Sequence, residues 1–332
     1  LHTDRGADLE LALDDRVVAS VGGARKINGR RVEIELLSDA AENLRLVPQR
    51  RVAVRSLRVV NDPRTKAATN PSAQAVTGTQ KWISILCKFS DVSSEPRNLS
   101  YFQGMYSSSY PGLDYYWREI SYDKANVAGS GAVAWVTLPH PVGHYYSSSG
   151  GDTDALLADC TAAADSMVYY PDYVGINMMF NAEFGPYAWG GTARVTRDGV
   201  SRYYRVTWEP PWGYANMGVI AHEMGHGFGL PHSNNADGDG SPYDNPWDVM
   251  SDSWNYVVYH STYGKLGKGT IGYHRDILGW IDGARKIDID SPGIYNVTLD
   301  HLTLAATNNL RLVNVHIPGS NRYYTAEVRD QV

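Results

Sequence analysis

The chain has 332 residues, a length that corresponds to about two domains, and its 43% hydrophobic and 20% charged content is ordinary for a globular protein. Its net charge of −6 argues against a nucleic-acid partner. No apolar run approaches the length of a membrane-spanning helix, so we expect no membrane span. These features exclude two classes of partner and leave the oligomeric state open.

Residues 1–60 are predicted to form a β-rich N-terminal unit. Runs of β-forming residues lie at 16–21, 31–37 and 51–54, and Gly, Asn and Asp turns separate them. The next segment, 61–80, is rich in Ala, Thr, Asn, Ser, Gln and Pro. This composition is typical of a solvated linker, so we expect a second unit to begin near its end.

Predicted strands and helices alternate along residues 81–283. Asp152 or Thr153 is expected to cap one of the helices. Asp198 and Gly199 separate two β-forming runs, as in a hairpin with a two-residue turn. In chain order the predicted elements are strand 81–89, helix 111–120, strand 132–138, helix 152–168, strand 174–180, the hairpin 193–208 and helix 214–228.

Residues 284–332 return to a β-rich pattern. Apolar and β-forming runs lie at 294–299, 310–317 and 323–328, and turns containing Pro-Gly and Gly-Ser-Asn separate them. We interpret this C-terminal segment as the beginning of a β-sandwich, which need not be complete within this chain.

The run from His222 to His232 reads H-E-x-x-H-x-x-G-x-x-H. His222 and His226 lie one helical turn apart, so both imidazoles leave the same face of a helix and can hold one Zn²⁺ ion. Gly229 can adopt the left-handed conformation that ends a helix, and the chain then turns back to bring in His232 as a third ligand. Three protein ligands leave a fourth position for water, which indicates a catalytic zinc site. Glu223 is placed to accept a proton from that water.

This extended motif resembles that of the metzincin clan of zinc endopeptidases. Metzincins carry a methionine in a tight turn below the metal, and Met250, in the run 246–251, looks like that residue. The third ligand His232 and the run 274–280 are most similar to the gametolysin-like group, which is related to the immune inhibitor A group. Asp252 stands where some metzincins have a tyrosine ligand, so such a tyrosine is not expected here.

The resemblance implies an α+β fold, with a metzincin-type catalytic domain over 81–283. Such a domain has a twisted mixed sheet and an active-site helix, and an antiparallel edge strand holds a protein or peptide substrate in extended form. One strand of the hairpin 193–208 is expected to be that edge. The implied activity is that of a secreted zinc-dependent endopeptidase with one catalytic Zn²⁺ ion and Glu223 as general base.

The N-terminal unit then has two interpretations. We favour the interpretation of residues 1–60 as a propeptide that keeps a zymogen latent, because zinc proteases need latency, and the alternative is a permanent accessory domain. No cysteine lies within residues 1–80, so a cysteine switch is not expected to maintain latency.

A different class of function remains as the alternative, namely a non-catalytic binding or adhesion module with a vestigial zinc site. Degenerate proteases usually lose the glutamate or a ligand, whereas Glu223 and all three histidines stand here. We therefore favour the enzyme.

Two further features carry open alternatives. Cys87, in a predicted strand, and Cys160, in a predicted helix, are either joined by a disulfide or are two buried free thiols. The run 235–241 alternates oxygen-bearing residues with glycine, as the start of a Ca²⁺ loop does. Pro246 stands where such a loop needs its final acidic residue, so we interpret the run as an Asp/Gly turn, with a Ca²⁺ site as the alternative.

Overall fold

The computed structural model of this chain describes residues 75–147, 150–234, 241–319 and 322–330, together with three strands nearer the N-terminus. The chain divides into two compact units, Leu1–Gln74 and Ala75–Val332. Helices and several sheets occur together, so the fold class is α+β. Among the described residues, none of the helices combines the length and the apolar character that a membrane crossing requires.

The described part of the first unit is a three-stranded sheet. Its strands are β1 (Leu11–Ala12), β2 (Val32–Leu36) and β3 (Val52–Val59). The central strand β3 pairs in parallel with β1 and antiparallel with β2. The predicted runs 31–37 and 51–54 therefore correspond to β2 and to the beginning of β3, and the predicted run 16–21 lies outside the described residues.

The second unit contains all the described helices. Its strands and helices in chain order are β4 (Gly78–Thr79), β5 (Trp82–Lys88), α1 (Leu99–Gly104), α2 (Leu113–Ser121), β6 (Ala125–Asn126), β7 (Gly131–Thr137), α3 (Val142–Tyr145), β8 (Tyr146–Ser147), β9 (Gly150–Gly151), α4 (Thr153–Ala163), β10 (Gly175–Phe180), β11 (Trp189–Arg197), β12 (Val200–Glu209), α5 (Pro211–Tyr214), α6 (Met217–Gly227), β13 (Tyr259–His260), β14 (Gly264–Lys265), α7 (Gly272–Ile277), β15 (Lys286–Ile289), β16 (Leu312–His316) and β17 (Tyr323–Ala326). Short 3₁₀ turns lie at Asp165–Met167, Tyr170–Asp172 and Gly283–Arg285.

The central sheet has five strands in the order β11-β12-β10-β5-β7. Only the β11–β12 pair is antiparallel, so the sheet is mixed. The hairpin turns at Asp198 (φ +51°) and Gly199 (φ +72°), because a two-residue turn that follows the sheet twist needs positive φ at both positions. The predicted hairpin is confirmed, and its first strand, β11, is an edge of the sheet.

Alternate residues of the buried strands point to opposite faces and build two cores. On one face Trp82, Leu86 and Met179 pack with α2 and α6. On the other face the strands pack against α4, whose Leu156 and Cys160 are fully buried. The sheet is thus a layer between helices, and α6, which carries the histidine motif, lies on one side of it.

A disulfide joins Cys87 of β5 to Cys160 of α4, with Cα atoms 5.9 Å apart and a sequence separation of 73. It links the sheet to the helix on the face opposite α6. Removing it with the double substitution C87A/C160A is expected to lower the free energy of unfolding by about 4 kcal/mol, because the unfolded chain regains the entropy of a long open loop. Urea unfolding of the parent and the variant measures this loss. The reduced parent should match the variant, and an unfolding midpoint that does not move on reduction would contradict the prediction.

Two predicted boundaries differ from the structure. The helix predicted over 152–168 begins as expected, with Asp152 accepting a hydrogen bond from the Ala155 N–H (2.9 Å), but it ends at Ala163 and passes into a 3₁₀ turn. Residues 75–80, which the composition assigned to the linker, pack within the second unit. There Val76 is buried and its N–H donates to the Leu278 carbonyl.

The C-terminal segment belongs to the same compact unit as the central sheet. It contains a three-stranded sheet in which β16 pairs in parallel with β15 and antiparallel with β17. The strand predicted at 294–299 is wrong. Ile294 is 95% exposed, and only Leu299 forms an isolated bridge, with Leu310. The first strand of this sheet in chain order is instead β15, which was not predicted.

Candidate metal centre and catalytic carboxylate

Helix α6 presents the motif from a buried position. Its residues before the motif are apolar, and all but one of the helical residues are buried. The helix ends at Gly227, and Gly229 has φ +93°, the left-handed conformation expected of it. The chain therefore turns back after one short bend and brings His232 beside the helix.

The three histidines of the motif meet at one point. The Nε2 atoms of His222 and His226 are 3.1 Å apart, and each lies 3.1–3.2 Å from Nε2 of His232. These three are the one group of ligand-type side chains among the described residues that could hold a metal ion. A tetrahedral zinc ion with Zn–N bonds of about 2.0–2.1 Å would separate its ligand nitrogens by about 3.3 Å, so the spacing fits the ion.

Hydrogen bonds orient the first two imidazoles. His222 Nδ1 donates to the Val249 carbonyl (2.7 Å) and His226 Nδ1 donates to the Leu230 carbonyl (2.8 Å). These donors place the proton on Nδ1 and leave Nε2 with a free lone pair. Burial lowers the pKa of His222 to about 3 and that of His226 to about 4. Both rings are therefore neutral at physiological pH, which is the form that binds a metal.

Glu223 lies in the same buried region. It is 7% exposed, and burial raises its pKa. The edge strand β11 runs directly past it, because a methyl group placed on Gly190 would overlap the backbone of Glu223. Glycine at this position lets the edge strand and the motif helix approach each other closely. The segment of α6 that carries Glu223 thus lies beside the edge of the sheet.

Met250 is fully buried against the motif helix. Its Sδ atom lies so close to Gly225 that a methyl group there would overlap it. Gly225 stands between Glu223 and His226 in the sequence. The structure therefore places the methionine of the predicted turn under the segment that carries the ligands.

A second buried carboxyl, Glu209, was missed by the sequence analysis. It ends β12, it is 0% exposed, and neither of its oxygens has a hydrogen-bond partner among the described residues. The Thr207 hydroxyl, two residues earlier on the same face, donates to Asn177 Oδ1 instead (2.9 Å). Burial and the neighbouring charge of Glu223 raise the pKa of Glu209 well above its usual value. No spacing rule connects β12 to the motif, so only the fold brings these two carboxyls together.

Replacing Glu209 with glutamine is expected to stabilise the protein in a pH-dependent way. A carboxyl whose pKa is higher in the folded state keeps a proton that the unfolded chain has released, so rising pH destabilises the fold. The gain in stability of E209Q over the parent should be near zero at pH 4.5 and should grow as pH rises through neutral. The gain should increase by about 1.4 kcal/mol for each pH unit until the pH passes the raised pKa of Glu209.

Thermal melts in the presence of a chelator measure this difference without interference from metal release. The exposed Glu119 offers a matched control, because E119Q removes a carboxyl from the surface and should change stability by less than about 0.5 kcal/mol at every pH. A stability difference for E209Q that does not change with pH would contradict the prediction.

Tyr243 is the tyrosine nearest to the candidate metal ligands. Its ring lies 5.0 Å from that of His232 and 6.2 Å from that of His222, centroid to centroid. Burial, followed by the charge of Glu223, raises its pKa, so the hydroxyl stays a hydrogen-bond donor. Tyr256 and Tyr259, which follow Met250 in the sequence, are 82% and 72% exposed.

Asp252 has a structural position of its own. It accepts hydrogen bonds from the N–H groups of Trp254 and Asn255 (3.0 Å each) and lies 3.9 Å from the Lys268 ammonium group. These contacts hold the turn that follows Met250. Residues 235–240, which form most of the candidate Ca²⁺ loop, lie outside the described residues.

Comparison with protein-family models, with curated proteins and with solved structures found no match to this chain. The function is therefore inferred from the chemistry of the site and from its motif.

Proposed function

We propose that this protein is a secreted zinc-dependent endopeptidase, gametolysin-like within the metzincin clan. The observation that carries the proposal is the meeting of three imidazole nitrogens, 3.1–3.2 Å apart, the first of which belongs to the residue that precedes the buried Glu223. In such a site the histidines His222, His226 and His232 hold Zn²⁺. When bound, the ion supplies a Lewis acid and lowers the pKa of a water molecule toward neutrality.

Glu223 acts as the general base. Its position beside the first ligand lets it accept a proton from the attacking water and return it to the leaving amine. Burial favours this exchange, because the raised pKa of Glu223 brings the carboxyl closer to the working pH of a proton shuttle. Tyr243, with its protonated hydroxyl near the ligands, can donate a hydrogen bond to the substrate oxygen that gains charge.

The edge strand β11 binds the substrate. Among the described strands, none pairs with its outer edge, and Gly190 brings it against the backbone of Glu223. An extended polypeptide that pairs with this edge passes the site with its backbone hydrogen-bonded and its scissile bond near the carboxyl. Pairing through the backbone does not depend on side-chain identity, so we expect protein and peptide substrates of varied sequence.

Two features support secretion and a latent form. The Cys87–Cys160 disulfide is of the kind that persists in oxidising compartments. The separate N-terminal unit, Leu1–Gln74, suits a propeptide that is removed to start activity.

Casein cleavage tests this proposal. The full chain is assayed before and after limited proteolysis between the two units, then with a chelator, and again after Zn²⁺ is added back. We expect cleavage that the chelator abolishes and zinc restores, with higher activity after proteolysis. Zinc binding without cleavage by either form would favour the non-catalytic binding module, and absence of zinc binding would refute the metal site itself.

A further inference from the structure

A buried polar group lies beneath the turn that contains Met250. It consists of Asp248, Thr270 and His274, which are 0%, 0% and 1% exposed. His274 Nδ1 lies 2.7 Å from Asp248 Oδ2, and the Thr270 hydroxyl donates to Asp248 Oδ1 (2.6 Å). The proposed mechanism uses none of these three side chains. Burying the carboxylate of Asp248 costs folding free energy unless hydrogen bonds and a charged partner compensate for the lost water.

Asp248 in turn holds the backbone of the turn. Its Oδ1 accepts a hydrogen bond from the Met250 N–H (3.1 Å). The residue between them, Val249, donates its N–H to the Gly269 carbonyl (3.0 Å), in the segment just before Thr270. Val249 is therefore held on both sides. Its own N–H is bonded to Gly269, and the Met250 N–H, which shares a peptide bond with the Val249 carbonyl, is bonded to Asp248.

The Val249 carbonyl is the group that orients the first candidate ligand. It accepts the hydrogen bond from His222 Nδ1 at 2.7 Å. A ligand histidine held through its second nitrogen keeps one tautomer and one ring orientation, and loss of such a partner weakens metal binding. A continuous set of contacts thus runs from His274 through Asp248 and Val249 to His222.

The charge of this set is consistent with its geometry. Burial alone would raise the pKa of Asp248, but the hydrogen bond and charge of His274 hold it below its usual value. Asp248 is then a carboxylate. Its Oδ1 accepts hydrogen bonds from the Thr270 hydroxyl and the Met250 N–H, and its Oδ2 lies 2.7 Å from the ring nitrogen Nδ1 of His274.

We propose that His274 is a positioning residue for the metal site, acting through Asp248 and the Val249 carbonyl on the orientation of His222. The inference rests on the proposed metal site and adds a residue 42 positions beyond His232 to its support. A purely structural role, in which His274 only stabilises the fold, is the competing explanation. The two differ in whether metal affinity changes separately from stability.

Cobalt binding by the full chain separates them. Co²⁺ replaces zinc as the probe, because its visible absorption reports ligand geometry and its affinity can be measured by competition with a chelator. His274→Leu removes the ring nitrogen that lies 2.7 Å from Asp248 Oδ2, whereas His274→Asn keeps an amide N–H near the position of Nδ1. We expect H274L to weaken Co²⁺ binding about 10–100-fold and to change the absorption spectrum. H274N should stay close to the parent in both.

Tyr145 supplies the matched control. Its ring lies in the core on the opposite face of the sheet, and its hydroxyl donates to Oδ2 of the half-buried Asp159 (2.6 Å). Y145F therefore also removes one contact to a carboxylate away from the proposed metal site, and it should lower the melting temperature without changing Co²⁺ affinity. Thr270→Val, which removes the second donor to Asp248 with little change of shape, should weaken Co²⁺ binding less than H274L does.

The outcomes are distinct. Parental Co²⁺ affinity and spectrum in folded H274L, or in T270V if H274L does not fold, would overturn the positioning role. If H274N weakened Co²⁺ binding as much as H274L does, the positioning role would also be overturned, because a polar N–H beside Asp248 would then have no effect on metal affinity. A parent protein that binds no Co²⁺ would instead refute the proposed metal site.

Discussion

Replacing Glu223 with glutamine is expected to lower peptidase turnover by about 10²–10⁴-fold while the zinc content stays at that of the parent. Glutamine has the size of glutamate but cannot accept the proton of the attacking water. Glu223 is not one of the three side chains that meet at the candidate metal site, so metal binding should persist in the variant. Turnover of a casein or peptide substrate and metal content per chain measure the two effects separately.

The same substitution should not destabilise the protein. Glu223 and Glu209 are both buried, and the charge of Glu223 raises the pKa of Glu209, so removing one carboxyl relieves repulsion between them. We therefore expect E223Q to melt at or above the temperature of the parent, a loss of activity with a gain in stability. The exposed substitution E119Q should leave activity and stability unchanged. Parental turnover in E223Q would exclude Glu223 as the general base.

Replacing either of two ligands, in H222A or H226A, is expected to abolish both metal binding and activity. Each variant leaves two imidazoles where three now meet, so metal affinity should fall by more than about 100-fold. This loss exceeds the one expected when only a hydrogen-bond partner of a ligand is removed. Zinc affinity measured by chelator competition and turnover at added zinc check the prediction.

The two ligand variants should differ in stability. H222A leaves the Val249 carbonyl without its hydrogen bond in a buried position, at a cost of about 1–3 kcal/mol. H226A likewise leaves the Leu230 carbonyl without its hydrogen bond, but this bond is only partly buried, so we expect a smaller loss of stability. The exposed His140 provides the control, since H140A removes an imidazole outside the site and should keep zinc and activity. Full zinc affinity in H226A would contradict the assignment of the ligands.

The local part of the site was predictable because it lies within eleven consecutive residues. Helix geometry puts His222 and His226 on one face, and Gly229 at φ +93° returns the chain so that His232 joins them. These relations depend on the 3.6-residue repeat and on a single backbone conformation, and neither needs a distant partner.

Parts of the fold were predictable for a similar reason. The hairpin turn at Asp198-Gly199 follows from backbone conformations that these residues adopt readily. The prediction of a strand at 294–299 was wrong because an apolar stretch does not specify a partner strand. Ile294 is instead exposed to solvent. Strand β15 was missed because its four residues are too short for a clear alternation.

The sequence by itself determined the identity of the candidate ligands, the candidate base and the turn that joins them, since all of these follow from short-range backbone geometry. Only the tertiary structure decided what surrounds them. The approach of Glu209 to Glu223, the contact of β11 with the backbone of Glu223 at Gly190, and the support of Val249 by Asp248 and His274 join residues from separate elements. Contacts of this kind depend on strand order and helix packing, which no local pattern specifies.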